Sequence, residues 1–260
     1  MVRPGADLAT LNIAATERPL LVHVAVVRAG LLEDDGVFSQ CCRGVSVARR
    51  SRIGRHRSAN GRRDCLAGSI ALDCALQAFG YREADCRYIT LSSGKPAFTS
   101  PASLHFSITH AGGWAAAAVS LAPVGLDLEP IRATPLQVVR YFTPVEQELL
   151  FALGPGESQD RLFWRIWTKK ESLAKLADQP LGAVLAAQSV LEGSDGGVLM
   201  AEGTACPGQR VAFTQVAVAD CLLTLCVGPC AVALDRRNSP GSFVCDLSFE
   251  GVWMARPWGF

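Results

Sequence analysis

The sequence predicts an α+β fold of two similar lobes, and three observations carry that expectation. Each half of the chain offers one main helix followed by three or four short strands. At 260 residues there is enough chain for one large domain or two modest ones, each with its own core. About half of the residues are hydrophobic (49%), 19% are charged and the net charge is +1, a balance that argues against disorder and against global attraction to nucleic acid.

Residues 1–18 read as a loose start. Residues 19–28, with Leu20, Leu21, Val22, Val24, Val26 and Val27, read as a buried strand. Residues 43–63 hold eight arginines and no acid, with Ser, Gly and Asn between them, and read as a mobile or anion-facing loop. Leu66, Ile70, Leu72, Leu76 and Phe79 have helical spacing, and Gly80 is placed to stop that helix. Strands are expected at 86–91, 104–109, 114–121 and 124–128, the last entered through the Ala122-Pro123 turn. In the second half, Thr143-Pro144 supplies an N-cap and first helical residue for a helix through Leu153, broken by Gly154-Pro155-Gly156. A longer helix is expected over 158–177, then strands at 189–191, 197–200, 210–218 and 221–227. The resulting division is 1–18, an N-terminal lobe 19–123, a C-terminal lobe 124–234 and a tail 235–260 with scattered aromatics.

No apolar run reaches the ~20 residues that span a bilayer, and His23 interrupts the early apolar stretch, so neither a membrane anchor nor a secretory signal is expected. The ten cysteines contain no C-x-x-C and sit mostly in apolar runs. They read as small buried hydrophobes in a reduced cytoplasm, with a structural zinc as the weaker alternative. The chain has only four lysines, three of which (Lys169, Lys170, Lys175) fall within one heptad while Lys95 lies in a Gly94-Lys95-Pro96 turn. A compact ammonium is a suitable partner for phosphate.

Two acidic signals point to chemistry. Asp127 and Glu129, in Gly125-Leu126-Asp127-Leu128-Glu129, share one face of a strand because side chains alternate. Paired carboxylates in a water-poor place call for a cation or a proton, and oxygen-only ligation suits Mg²⁺. Forty residues on, Trp167, Glu171 and Lys175 form an i, i+4, i+8 stripe beside the core-facing Phe163 and Ile166, which makes Glu171 a lining residue of a cleft. His110 stands at a strand-to-turn corner before Gly112-Gly113. The chain contains no G-x-S-x-G elbow, G-x-G-x-x-G or Walker loop.

Taken in order, Gly94-Lys95-Pro96, Phe106-Ser107-Ile108-Thr109-His110, Gly125-Leu126-Asp127-Leu128-Glu129 and Trp167-Thr168-Lys169-Lys170-Glu171-Ser172 with Lys175 resemble the 4′-phosphopantetheinyl transferase superfamily. The similarity is greatest to its surfactin-type group and the AcpT-like holo-[acyl carrier protein] synthases, over about residues 60–230. The resemblance implies a pseudo-dimeric fold of two α/β lobes with the active site between them. It implies transfer of phosphopantetheine from coenzyme A to a serine of an acyl or peptidyl carrier protein, with release of adenosine 3′,5′-bisphosphate. By the same resemblance Asp127, Glu129 and Glu171 would hold Mg²⁺, and Glu171, helped by Glu146, would deprotonate the serine. Lys175 would neutralise phosphate charge, and Lys95 and His110 would contact the coenzyme. The chain departs from the family by reading Thr109-His110-Ala111, and by placing Asp64 where the family has a coenzyme-binding arginine; Arg62 or Arg63 would take that role. A cytoplasmic monomer that binds neither nucleic acid nor membrane is the resulting expectation. The competing readings are a Mg²⁺-dependent phosphodiesterase or nuclease, and a nucleic-acid-binding module using residues 43–63.

Overall fold

Residues 22–191, 197–199 and 210–230 are described by the computed structural model, and they form a mixed α/β protein. Strand β1 (Val22–Arg28) leads into three helices, α1 (Asp35–Gly44), α2 (Val47–Arg55) and α3 (Ala59–Gln77). Then come β2 (Arg87–Thr90), β3 (Pro96–Ser100), β4 (His105–Ala111) and β5 (Trp114–Ser120). The second half runs β6 (Val124–Pro130), α4 (Leu136–Val139), α5 (Pro144–Leu153), α6 (Glu157–Ala177), α7 (Leu181–Leu185), β7 (Gly197–Leu199), β8 (Arg210–Val218) and β9 (Cys221–Cys230). The expected loose start and the tail 235–260 lie outside the described residues.

All strand pairing is antiparallel, in a three-stranded sheet ordered β1-β5-β4, a β2-β3 hairpin and a four-stranded sheet ordered β6-β9-β8-β7. Alternation along the strands stacks these into layers. Ala115, Ala117 and Val119 of β5 face α3, where they meet Leu66, Leu72 and Leu76. Ala116 and Ala118 face the other way, onto Leu126 and Leu128 of β6 and Leu223 of β9. On the far side of the second sheet, Cys226 and Val211 pack under Phe163, Ile166 and Leu173 of α6. The order is therefore helix, sheet, sheet, helix.

The largest correction concerns residues 43–63, which are helical rather than a loop. Each helix there has a polar N-cap: Asp34, Ser46 and Ser58 accept from the backbone N–H three residues on. Arginine is a good helix former, so the charge that suggested a loop instead covers solvated faces. Helix α3 accordingly starts at Ala59, ahead of the expected Leu66, and Gly80 follows its end at φ +78°. A second correction is β3, where a turn alone was expected; at a hairpin strand Pro96 costs no central ladder bond. Residues 189–191 form no strand, because the Val190 N–H donates to the Glu146 carboxylate instead of a ladder. The described thiols Cys41, Cys42, Cys65, Cys74, Cys86 and Cys221 are unbridged, as expected, and burial pushes Cys86 up to about 12.

Candidate active site

The site is assembled where β6 runs under α6. Leu126 and Leu128 turn toward the first sheet, so Gly125, Asp127 and Glu129 turn toward the helix. The two elements approach so closely at Gly125 that a Cβ there would sit 1.8 Å from the Ser172 carbonyl oxygen. That contact sets the height of Asp127 against Lys175, whose Nζ donates to Asp127 Oδ1 at 2.6 Å and to the Leu126 carbonyl at 3.0 Å.

Strand β4 supplies the other wall. Among the described residues the outer edge of β6 has no strand partner, and side chains of β4 replace one: Leu126 N donates to Ser107 Oγ and Leu128 N to Thr109 Oγ1. Thr109 in turn donates to Asp127 Oδ1 at 3.3 Å. The hydroxyls of the Ser107-Ile108-Thr109-His110 run thereby join the two sheets beside the acids.

Burial raises the pKa of both Glu171 and Glu129, and the Asp127 charge raises each further. Glu129 and Glu171 thus both lie near enough to Asp127 for its charge to oppose their ionisation. Glu129 also has Arg132 at 3.5 Å. Among the described residues no three acidic, imidazole or thiol side chains close on a single metal position. Yet Asp127 Oδ2 is buried without a hydrogen-bond partner. A buried carboxylate oxygen left unpaired beside two acids of raised pKa is a donor suited to a hard divalent cation.

From Glu171 and Lys175 a cleft of about 490 Å³ extends toward helix α2 and the β2–β3 turn, lined also by the basic residues Arg49, Arg52, His56, Lys95 and His110. Lys95 and His110 both have lowered pKa values, burial being the main cause; Asp178 opposes it for Lys95 and Asp64 for His110. Arg49 is fixed: its Nε donates to Ser69 Oγ at 2.9 Å, and its helix is capped by Ser46. Ser46 is itself gripped through N and Oγ by the buried Glu83 carboxylate, both at 2.7 Å. What the acids and this basic wall can do together is grip a polyphosphate and a cation in one place.

Of the residues expected together from the sequence, Glu171, Lys175, Lys95 and His110 line this cleft, while Asp127 is tied to it through Lys175 and Glu129 lies beyond Asp127 on the same strand. Glu146 lies away from it. It is fully buried between α5 and α6, its Oε2 2.8 Å from Lys170 Nζ and accepting from Thr143 N, and its Oε1 accepting from Val190 N. Its place three residues after the cap turns it back on the cap, and Lys170 leaves the helix about 100° round from Glu171. Arg62 and Arg63 also lie elsewhere. Arg62 bonds the His56 and Arg57 carbonyls, and Arg63 bonds Asn60 and lines a separate hollow with Arg28, Asp64 and Asp220. Arg49 and Arg52, which the sequence reading included in the anion-facing stretch 43–63 without singling them out, lie at i, i+3 on α2 with His56 at its C-cap, a spacing visible once the region is read as helix.

Comparison with known proteins agrees with this geometry. A model of the 4′-phosphopantetheinyl transferase superfamily matches residues 123–206, the stretch that carries both acidic elements. A 4′-phosphopantetheinyl transferase of Bacillus subtilis is 30% identical over 156 residues, which are 59% of this chain and 69% of that protein. The 4′-phosphopantetheinyl transferase AcpT of Salmonella typhimurium is 32% identical over 165 residues, 60% of this chain and 71% of the relative. HetI of Nostoc, another 4′-phosphopantetheinyl transferase, is 33% identical over 120 residues, 44% of this chain and 46% of its own. With the Bacillus subtilis and Salmonella typhimurium relatives this similar over more than two thirds of their length, and the family match falling on the strand and helix that bear the acids, the chain belongs to the 4′-phosphopantetheinyl transferase superfamily.

Proposed function

We propose that this chain moves the phosphopantetheine arm of coenzyme A onto a serine of an acyl or peptidyl carrier protein, with Mg²⁺ as cofactor and adenosine 3′,5′-bisphosphate as the other product. The observation that carries the reading is the junction of β6 and α6: three opposed carboxylates, one with an unpaired buried oxygen, at the end of a basic cleft. Asp127, Glu129 and Glu171 would hold the cation, which when bound supplies charge neutralisation for the pyrophosphate.

Arg49, Arg52, His56, Lys95 and His110 would bind the phosphates of the coenzyme and orient the pyrophosphate toward the acids. Lys175, held against Asp127, stands where an ammonium can meet the charge that develops on the leaving phosphate oxygen. Glu171 is the better candidate for the base, since burial raises its proton affinity and it lines the cleft. It would take the serine proton as the serine oxygen bonds to the β-phosphorus and the bond to the adenosine bisphosphate breaks. Glu146, engaged by Lys170, would serve the lobe rather than the reaction.

The pseudo-dimeric arrangement is part of the same proposal. Each of the two main sheets carries one long helix, α3 or α6, with lobes over 19–123 and 124–234 and the cleft between them. Two lobes in one chain make a complete site in a monomer. No helix among the described residues is long and apolar enough to cross a membrane.

Incubation of the protein with an apo-carrier protein, coenzyme A and Mg²⁺ should add one phosphopantetheine mass to the carrier in intact-protein mass spectrometry. A folded sample that adds none to any of several carriers overturns the assignment.

A further inference from the structure

Helix α6 ends at Asp178, which takes the left-handed conformation at φ 54°. Glycine is the usual residue at such a terminus, because a Cβ is disfavoured there. This chain uses glycine for positive φ at Gly80, Gly94, Gly112, Gly113 and Gly154; among the described non-glycine residues only Asp178 and Ala219 adopt it. Asp178 carries a second penalty as well. Its carboxylate sits at the C-terminal pole of a 21-residue helix, where the exposed carbonyls repel negative charge.

The contacts that offset these penalties come from the other lobe. Ser93 Oγ, in the β2–β3 turn, donates to Asp178 Oδ1 at 2.5 Å, across 85 positions of sequence. The same Ser93 oxygen accepts from Lys95 N at 3.2 Å. The Lys95 ammonium then donates to the carbonyl of Lys175, in the last turn of α6. Carboxylate, hydroxyl, backbone and ammonium form a closed circuit between the turn and the helix end. Ser93, Gly94, Lys95, Lys175 and Asp178 all line the basic cleft.

We propose that Asp178 is a positioning residue: it fastens the Ser93–Lys95 turn to the end of α6 and so presents Lys95 as a fixed cationic wall for the phosphates of coenzyme A. The inference rests on reading this cleft as the coenzyme A site. Asp178 also opposes the loss of proton affinity that burial and the Lys175 charge impose on Lys95. The consequence is unusual for a helix terminus: the better terminator should make the poorer enzyme.

Coenzyme A titrations by calorimetry, thermal melts and steady-state transfer to an apo-carrier test this on the wild type, Asp178→Gly, Asp178→Asn and Ser93→Ala. Asp178→Gly should melt no lower than wild type, yet bind coenzyme A about three- to tenfold more weakly, the size of one ordinary hydrogen bond. The coenzyme A KM should rise in step, with kcat and the carrier KM within about twofold. Ser93→Ala should show a similar loss, and the Asp178→Gly/Ser93→Ala double variant little more, since both break one circuit. Asp178→Asn keeps the acceptor and tolerates the left-handed turn, so it should fall between wild type and Asp178→Gly.

Unchanged coenzyme A affinity in Asp178→Gly overturns the proposal, with or without a lower melting point. A change confined to the carrier KM overturns it too. A wild type that binds coenzyme A without transferring its arm would sink the transferase reading, while the binding comparison would still decide the role of Asp178. A wild type that does not bind coenzyme A at all sinks both.

Discussion

Glu129 and Glu171 bind protons more tightly in the folded protein than in the unfolded chain, because burial and the charge of Asp127 disfavour their ionised forms. A carboxyl raised on folding lends stability that is full below its unfolded pKa of about 4.3 and is lost as pH rises through the folded value. The metal-free protein should therefore weaken as pH climbs out of the acid range, and a cation bound by these acids should restore what is lost. Thermal melts with and without Mg²⁺ should show a small upward shift near about pH 5 and a larger one near about pH 8. Equal shifts at both values, or none, would mean that these acids do not hold the ion. Glu146 belongs to another physical class. With Lys170 equally buried against it, Glu146→Gln leaves an ammonium without its counter-charge and should cost about 3–5 kcal/mol in urea unfolding. A Glu146→Gln protein of normal stability that fails to turn over would return this residue to the reaction. The sequence brought Asp127 and Glu129 onto one face by strand alternation alone. It could not separate Glu146 from the site, since a capping position and a catalytic one look alike until the buried lysine is seen.

At the level of elements, the crossing of β6 beneath α6 decides the chemistry, and Gly125 decides the crossing. Any Cβ at this position meets backbone on both counts, the Ser172 oxygen at 1.8 Å and the Leu176 nitrogen at 2.7 Å. No side chain can swing away to make room. Gly125→Ala should lose more than about 3 kcal/mol or fail to accumulate in soluble form, as urea melts and soluble yield will show. A soluble Gly125→Ala protein with an unchanged midpoint would refute so tight a contact. Helix α6 was legible almost to the residue, expected over 158–177 and found at Glu157–Ala177, because aromatic periodicity and the glycine break before it agree. Helix α2 was not. Its apolar face is essentially Ile53, too little for periodicity to register, and its capping serine was read as loop composition. Helical i, i+3, i+7 spacing of Arg49, Arg52 and His56 was the signal available, and it pointed to the basic wall that the sequence reading had sought at Arg62 and Arg63.

Over the whole molecule, what joins the two halves of the fold is the face-to-face packing of two sheets. Strand alternation predicts which residues of each strand share a face, but not that the second face of the first sheet would be covered by β6 and β9. That pairing needs contacts far apart in sequence, for which local pattern carries no record. The strand at the centre of this arrangement, β5, reads Trp114-Ala-Ala-Ala-Ala-Val-Ser120, with its four alanines fully buried, two toward α3 and two toward the second sheet. From Ala115 to Ala118 this strand itself contributes nothing larger than a methyl group to either interface. Enlarging Ala116 or Ala118 would act as a shim, lifting β6 with its carboxylates away from β4 with its hydroxyls and imidazole. The gauge of the catalytic gap is thus set by some of the smallest side chains in the protein, at positions that never meet a substrate.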